Sequence, residues 1–278
     1  MRDSRFMDVT RMPDRFLQSG QVRAGLGALL PEPHALVDAS VVAEILAKCA
    51  AAGSTLIVGI TGSVAAGKST LSAAIANHLR STLRIESIST DGFLYPNETL
   101  ISRGLIMRKG YPETYDTGLL SGVLQRVRWG PVRVPAYSHV TYDRVPDLDR
   151  TIDRPDILLV EGLGFSPRGY QRSPAALLDL LVYIDAGEDD LEAWYVARFM
   201  NFWREAETNP QSFYARFRGM SEAEAEAFAR QIWAGVNLPN VRENIAPVKR
   251  EADILLTKAA DHSMTLTLPA FGEGLADG

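Results

Sequence analysis

Gly62-Ser-Val-Ala-Ala-Gly-Lys-Ser-Thr70 lies between the apolar run Leu56-Ile-Val-Gly-Ile60 and a stretch in which Leu71, Ile75 and Leu79 recur at helical spacing. The order strand, glycine-rich turn, helix is the context that the pattern G-x-x-x-x-G-K-[S/T] requires, and every fixed position is met. Gly62 and Gly67 let the backbone turn tightly, so the N–H groups of Ser63, Val64, Ala65, Ala66 and the helix start through Thr70 can converge on a phosphate. Lys68 then reaches the β- and γ-phosphates as a point charge, and the Ser69 hydroxyl serves as a Mg²⁺ ligand. The stretch predicts a nucleotide-phosphate site.

Downstream, Arg84-Ile-Glu-Ser-Ile-Ser-Thr90 alternates as a strand and delivers Asp91-Gly-Phe to its C-terminal end, the edge of an open parallel sheet where ligands bind. A carboxylate there can take the proton of an attacking hydroxyl or hold a Mg²⁺-bound water. Asp156-Ile-Leu-Leu-Val160 reads as a fully buried strand ending in Glu161, at the place of the acidic residue that organises Mg²⁺. Leu180 to Asp185, Ile254 to Thr257 and Met264 to Leu268 are further strands. Helices are expected over Asp189–Arg204, over Ser221–Ala234 behind the capping pattern Ser221-Glu-Ala-Glu224, and over Val41–Ala51, capped by Asp38 or Ser40 and stopped at Gly53. Residues 1 to about 33 read as an irregular arm, and Tyr95 to Arg150 as a long functional loop with one periodic piece, Leu119 to Val127. The pattern predicts an α/β fold of the P-loop NTPase kind, with a mainly parallel central sheet flanked by helices on both faces.

Composition narrows the class. Of 278 residues, 46% are hydrophobic and 23% charged, and the formal charge of −5 argues against a broad nucleic-acid or anionic-membrane surface. Cys49 alone cannot form an internal disulfide and reads as a small buried hydrophobe. No apolar run has the length of a membrane span and the N-terminus lacks an apolar signal core, so a cytoplasmic enzyme is expected. Thr257-Lys-Ala-Ala-Asp261 has one residue too many for a guanine-reading motif. His34 and His78 read as surface residues, and nothing has zinc-ligand spacing.

Beyond the phosphate loop stand Thr90-Asp-Gly-Phe-Leu-Tyr-Pro-Asn97, Arg103-Gly-Leu105, Lys109-Gly-Tyr-Pro-Glu-Thr-Tyr-Asp116, Pro135-Ala-Tyr-Ser-His-Val-Thr-Tyr-Asp143, Pro155-Asp-Ile-Leu-Leu-Val-Glu-Gly-Leu163 and Trp194-Tyr-Val-Ala-Arg-Phe199. Asn237-Leu-Pro-Asn240, Arg242-Glu-Asn-Ile-Ala-Pro247 and Leu256-Thr-Lys258 with His262 continue the series. In this set and order the chain resembles type I bacterial pantothenate kinase, within the family that also holds uridine kinases and phosphoribulokinases. The resemblance implies ATP and Mg²⁺ as cofactors, pantothenate as the small-molecule acceptor, and a homodimer. It implies a kinase domain over 55–268, with substrate-binding loops at 92–150 and a helical lid region at 189–250, after an arm and helix at 1–54 and before a flexible tail at 269–278.

Residue by residue, the resemblance implies Asp91 as general base toward the primary hydroxyl and Arg198 as the neutraliser of the transferring phosphoryl group. Tyr137, His139, Tyr142, Tyr195, Phe202 and Asn237 match acceptor-binding positions, and Lys109 and His262 match nucleotide-binding ones, His262 stacking on adenine. Tyr195, Arg198, Phe199 and Phe202 share one helix face; an arginine within that stripe needs an anion, which favours a pocket over a core.

Three departures carry expectations of their own. The segment before the loop is short, so the far side of the adenine slot differs. Gly164-Phe-Ser-Pro167 replaces the stretch usual after Glu161-Gly-Leu163. Ala73 stands where many members carry an arginine beside the nucleotide phosphates, a place shared with the feedback ligand coenzyme A. The rival readings are a paralogous kinase for a nucleoside or sugar, and a nucleotide-binding regulatory protein without turnover; Asp91 and Arg198 together speak against the latter. Because Ala73 cannot make the charge-assisted hydrogen bonds that arginine gives to phosphate, coenzyme A should inhibit weakly. Potent ATP-competitive inhibition, titrated at ATP concentrations scaled to its measured KM, would contradict this expectation.

Overall fold

The computed structural model describes residues 22–23, 26, 29–30, 36–50, 54–166 and 173–267. The expected N-terminal arm falls mostly outside them, as do Gly53, Pro167, Leu268 and the tail from 269. The strands are β1 Leu36–Val37, β2 Leu56–Gly62, β3 Ile85–Ser89, β4 Pro131–Val134, β5 Tyr137–Ser138, β6 Asp143–Arg144, β7 Arg150–Asp153, β8 Ile157–Glu161, β9 Leu180–Asp185, β10 Ile254–Lys258 and β11 Met264–Thr267. Seven of them form one sheet in the order β1-β11-β10-β9-β2-β8-β3. From β3 across to β10 neighbours run parallel, and β11 is antiparallel to both β10 and β1.

All seven residues of β2 are buried, which requires cover on both faces of the sheet and explains an unbroken apolar run in place of alternation. The chain leaves β2 for β3 on one side of the sheet and later fills β9 and β10 on the other. The C-terminal end of β2 is therefore the crevice where an α/β sheet takes its ligand. Register sets the edge: Ile60 lies beside Glu161, and Ser89 beside the same Glu161, so the phosphate loop, Glu161 and Asp91 emerge side by side.

The helices are α1 Ala39–Cys49, α2 Lys68–Leu79, α3 Asn97–Ser102, α4 Thr117–Arg126, α5 Glu188–Glu205 and α6 Glu222–Ile232. Asp38, rather than Ser40, caps α1 by accepting from the Ser40 and Val41 N–H groups, which starts the helix two residues earlier than its periodicity indicates. Cys49 is half-buried at its last position, and burial raises its thiol pKa. α6 opens with the full Ser221/Glu224 capping box. Instead of ending, its spiral continues through π-helical turns at Trp233–Asn237 and Val241–Ile245 and a final turn at Ala246–Glu251. Pro239 lacks an N–H and would clash with a carbonyl one turn back, and a widened spiral accommodates both.

The stretch 95–150 is more ordered than its composition predicts. It holds α3 and α4, the ladder β4–β7, and a small hairpin, β5–β6, that projects Tyr137 to Arg144 toward the sheet edge.

At the opposite end of the sheet, buried Asp179 accepts from the Ile57 N–H at 2.7 Å and from Arg128 Nη2 at 2.9 and 3.1 Å, while Arg128 Nη1 donates to the Thr55 carbonyl at 2.7 Å. The cluster locks β2 to β9 far from the ligand edge. Asp179→Ala strands a buried N–H and half of an ion pair and should cost about 3–5 kcal/mol. Urea denaturation followed by circular dichroism measures it, and a loss under about 1 kcal/mol would mean the lock is dispensable.

Candidate active site

The phosphate loop has the shape its glycines predict. Gly62 stands at φ +138, where a Cβ would lie 2.3 Å from the Ile184 carbonyl oxygen. Gly67, at φ +100, is the N-cap of α2 and offers no side chain to the first turn. The N–H groups there are left for an anion. Ser69 and Thr70 face solvent at the start of α2, and Ser63 Oγ is buried without a hydrogen-bond partner among the described residues. An orphaned buried hydroxyl in a loop of this geometry fits a ligand's phosphate oxygen.

Lys68 is buried, and its ammonium donates to the loop's own carbonyls, Gly62 O at 3.2 Å and Ser63 O at 2.7 Å. Burial lowers its pKa from 10.5 to about 8; the charges of Glu161 and Asp91 oppose that shift and Arg198 adds to it. The structure thus brings together the four charged groups singled out from the sequence, two cationic and two acidic. The Arg198 guanidinium lies 5.5 Å from the centre of the Phe202 ring and has no carboxylate partner among the described residues. The donor set of Ser69 and Glu161, a hydroxyl and a carboxylate, suits a hard divalent cation that completes its shell with phosphate oxygens and water. No group of three or more His, Cys, Asp or Glu residues that could hold a metal by themselves occurs among the described residues.

A second wall beside the charged centre is lined by the hairpin and α5. Tyr137 stands edge-on to His139 at 5.3 Å and to Tyr142 at 6.2 Å. Protein packed around the His139 ring lowers its pKa, while the charge of Asp91 pulls the other way. Burial raises Tyr137 and Tyr142 well above the ordinary tyrosine range, so both hydroxyls stay protonated. Burial raises the pKa of Tyr195, half-buried on α5, and the side chain of Asn237, on the first π-turn, opposes that shift. Phe202 stacks on Tyr214 at 5.0 Å, and Phe199, buried in a cluster with Trp203 and Phe217, meets the same Tyr214 edge-on at 5.4 Å. A cavity of about 220 Å³ opens beside this wall, between Ser87, Ser89, Gly92, Pro135, Tyr137 and His139.

Lys109 and His262 take different positions from one another. His262 packs against Trp194 with ring centres 5.1 Å apart, in a group that includes Lys258, whose ammonium sits 4.2 Å from the Trp194 ring centre and donates to the Ala66 carbonyl at 3.1 Å. Lys109, expected among the nucleotide ligands, directs its ammonium to the Asn97 side chain and the Tyr142 carbonyl, within reach of the charge of Asp91.

Four neighbours went unassigned at the sequence level. Tyr115 directs its hydroxyl at Asp91 Oδ1 from 3.5 Å, and Tyr214 stacks on Phe202, its own pKa pushed up to about 12 by burial. Trp194 and Lys258 build the shelf around His262. Trp194 and Lys258 stood in motifs noticed for other residues, so their presence was visible; the partners that give them a role come from other segments.

Fold and site define a phosphotransferase built on a phosphate loop. Residues 57–202 match the phosphoribulokinase / uridine kinase family. Pantothenate kinases of Streptococcus pneumoniae serotype 2 and serotype 4 are each 40% identical over 214 residues, covering 75% of this chain and 70% of theirs. The chain belongs to the phosphoribulokinase/uridine kinase family of kinases, with pantothenate kinases among its relatives there. Two solved structures share the fold. One is a kinase assigned to a fructose transport system in Silicibacter (TM-score 0.60, 22% identity, 74% of this chain and 93% of that one). The other is a D-glycerate 3-kinase from Cryptococcus neoformans (TM-score 0.54, 14% identity, 90% and 96%).

Phosphate beside Lys68 favours the charged ammonium, so binding above about pH 8 must take up a proton. Affinity for ATP should accordingly fall as pH rises past about 8, approaching tenfold per unit. Calorimetry at pH 8.5 in two buffers of different ionisation enthalpy measures the uptake; Lys109→Met should retain it, and zero uptake by the wild type would contradict the burial of Lys68.

Proposed function

We propose that this chain transfers the γ-phosphoryl group of ATP, with Mg²⁺, to the primary hydroxyl of pantothenate, the first step of coenzyme A synthesis. The observation that carries the reading is the convergence of Lys68, Arg198, Asp91 and Glu161 at one strand edge, directly beside a wall of hydroxyl, imidazole and amide groups. Asp91 accepts the hydroxyl proton as the nucleophile attacks, and Tyr115 orients that carboxylate. Lys68 leaves its loop carbonyls for the phosphates, and Arg198, without an ionic partner of its own, offsets the charge of the moving phosphoryl group. Ser69 and Glu161 would hold Mg²⁺, which neutralises phosphate charge when bound. His139, Tyr195 and Asn237, with Tyr137 and Tyr142 nearby, meet the secondary hydroxyl, amide and carboxylate of the acceptor. The group of Trp194, Lys258 and His262 receives the adenine. The relatives named pantothenate kinase support this acceptor over others of the family.

A wall of buried polar groups rejects ligands that leave those groups unpaired, often by about 10⁴-fold. With ATP and Mg²⁺ present, pantothenate should drive ADP release, while uridine and a pentose phosphate should be poor acceptors. A kcat/KM for uridine above that for pantothenate would move the chain to the paralogue reading. Asp91→Asn should lower kcat by about 10²- to 10⁴-fold while nucleotide still binds; a fall below about tenfold would remove Asp91 as the base.

A further inference from the structure

Tyr142 sits at φ +54, at the foot of the hairpin tip, in a backbone region where a bulky side chain is an outlier. Such a residue persists where its surroundings over-determine it, and here two side chains do so. The Tyr142 carbonyl accepts from Lys109 Nζ at 2.6 Å and from Asn97 Nδ2 at 3.0 Å. Lys109 Nζ also donates to Asn97 Oδ1 at 2.6 Å, closing a ring of three hydrogen bonds. The Asn97 N–H donates to the Asp143 carboxylate at 3.1 Å, fixing the next residue as well. From the other side, the Phe213 N–H donates to the Val140 carbonyl at 2.7 Å. The Tyr142 ring is held between the Lys109 ammonium, 4.4 Å from its centre, and the Phe213 ring, 4.5 Å away.

Asn97 opens α3 only six residues after Asp91. The ring of bonds therefore spans from the segment that carries Asp91 to the hairpin that carries Tyr137, His139 and Tyr142. We propose that Asn97, together with Lys109, is a positioning residue that locks Tyr142 in its left-handed conformation and so presets the acceptor pocket. Asn97 acts on the shape of the wall through the Tyr142 carbonyl and has no part in the proton or phosphoryl transfer. That the hairpin faces the acceptor rests on the proposed function; the lock on Tyr142 does not.

Hydrogen exchange of the unliganded protein tests the lock directly. Asn97→Ala should speed exchange of the amides of 137–144 about tenfold, the scale of one lost hydrogen bond, and leave α2 unchanged. In steady state the KM for pantothenate should rise by about the same factor, with the KM for ATP within about twofold of the wild type. Lys109→Met should reproduce the exchange effect, and the double variant should add little to it, since both remove one network. Should Asn97→Ala fold poorly, Asn97→Asp keeps the acceptor for Lys109 but loses the donor to Tyr142, and the same readouts apply. Unchanged exchange over 137–144 in a folded variant would overturn the lock. Faster exchange with an unchanged acceptor KM would overturn its role in presetting the pocket. A wild type that fails to phosphorylate pantothenate would sink the substrate reading alone, and the exchange result would still decide the lock.

Discussion

The relative position of the two acidic groups at the sheet edge depends on one hydroxyl. Thr90 Oγ1 accepts from the Leu163 N–H at 3.1 Å and from the Gly164 N–H at 3.3 Å, tying the residue before Asp91 to the turn after Glu161. The approach is possible only because Gly162 has no side chain: at φ +144, a Cβ there would stand 1.9 Å from that same oxygen. Strand register places Glu161 beside Ser89 and leaves Asp91 two residues further on, in the turn after β3. The Thr90 bond makes them parts of one rigid edge, and the charges of both oppose the lowering of the Lys68 pKa that burial causes. Preorganisation of this kind lets charged groups act on a transition state without reorganising at the moment of reaction.

Charge distribution at the edge follows from what each cation has for company. Among the described residues Lys249 pairs with Asp185 and Arg242 with Glu188, whereas Arg198 is left with an aromatic ring. Pairing Arg198 within the protein would have set its charge against a fixed carboxylate rather than a substrate. The half-buried ring of Phe202 shields it from water and leaves its N–H groups free to meet an anion.

Much of this was legible in the sequence, and the reasons differ by element. The phosphate loop, β8 and the α6 cap are local structures whose residues specify their own conformation, so pattern reading placed them to within a residue or two. Apart from the periodic piece that forms α4, the region 95–150 read as loop because its order is non-local: the hairpin is held by Asn97 and Phe213, and α3 has only 6 residues. The spiral after α6 was missed because Pro239 normally ends a helix and here it widens one. Within the site, Asp91, Glu161, Lys68 and Arg198 were recognisable by type and place. Tyr115, Tyr214, Trp194 and Lys258 were not, since their significance lies in contacts between distant segments. Lys109 shows the same limit: its motif was visible, and the bonds it makes to Asn97 and to the Tyr142 carbonyl join distant segments.

α5 carries Trp194, Tyr195 and Arg198 within five consecutive positions, and its 18 residues form a rod about 27 Å long. Trp194 lies in the aromatic shelf with His262, Tyr195 packs against Trp233, and Arg198 belongs to the charged centre. No part of this rod can turn to serve one site without moving the residue that serves another. Any tilt that seats one ligand more firmly at one of these places changes the free energy of seating another at the next, and thermodynamic reciprocity makes the reverse effect equal in size. In that sense α5 is a mechanical coupling between whatever binds at these places, with each partner changing the other's affinity by the same factor.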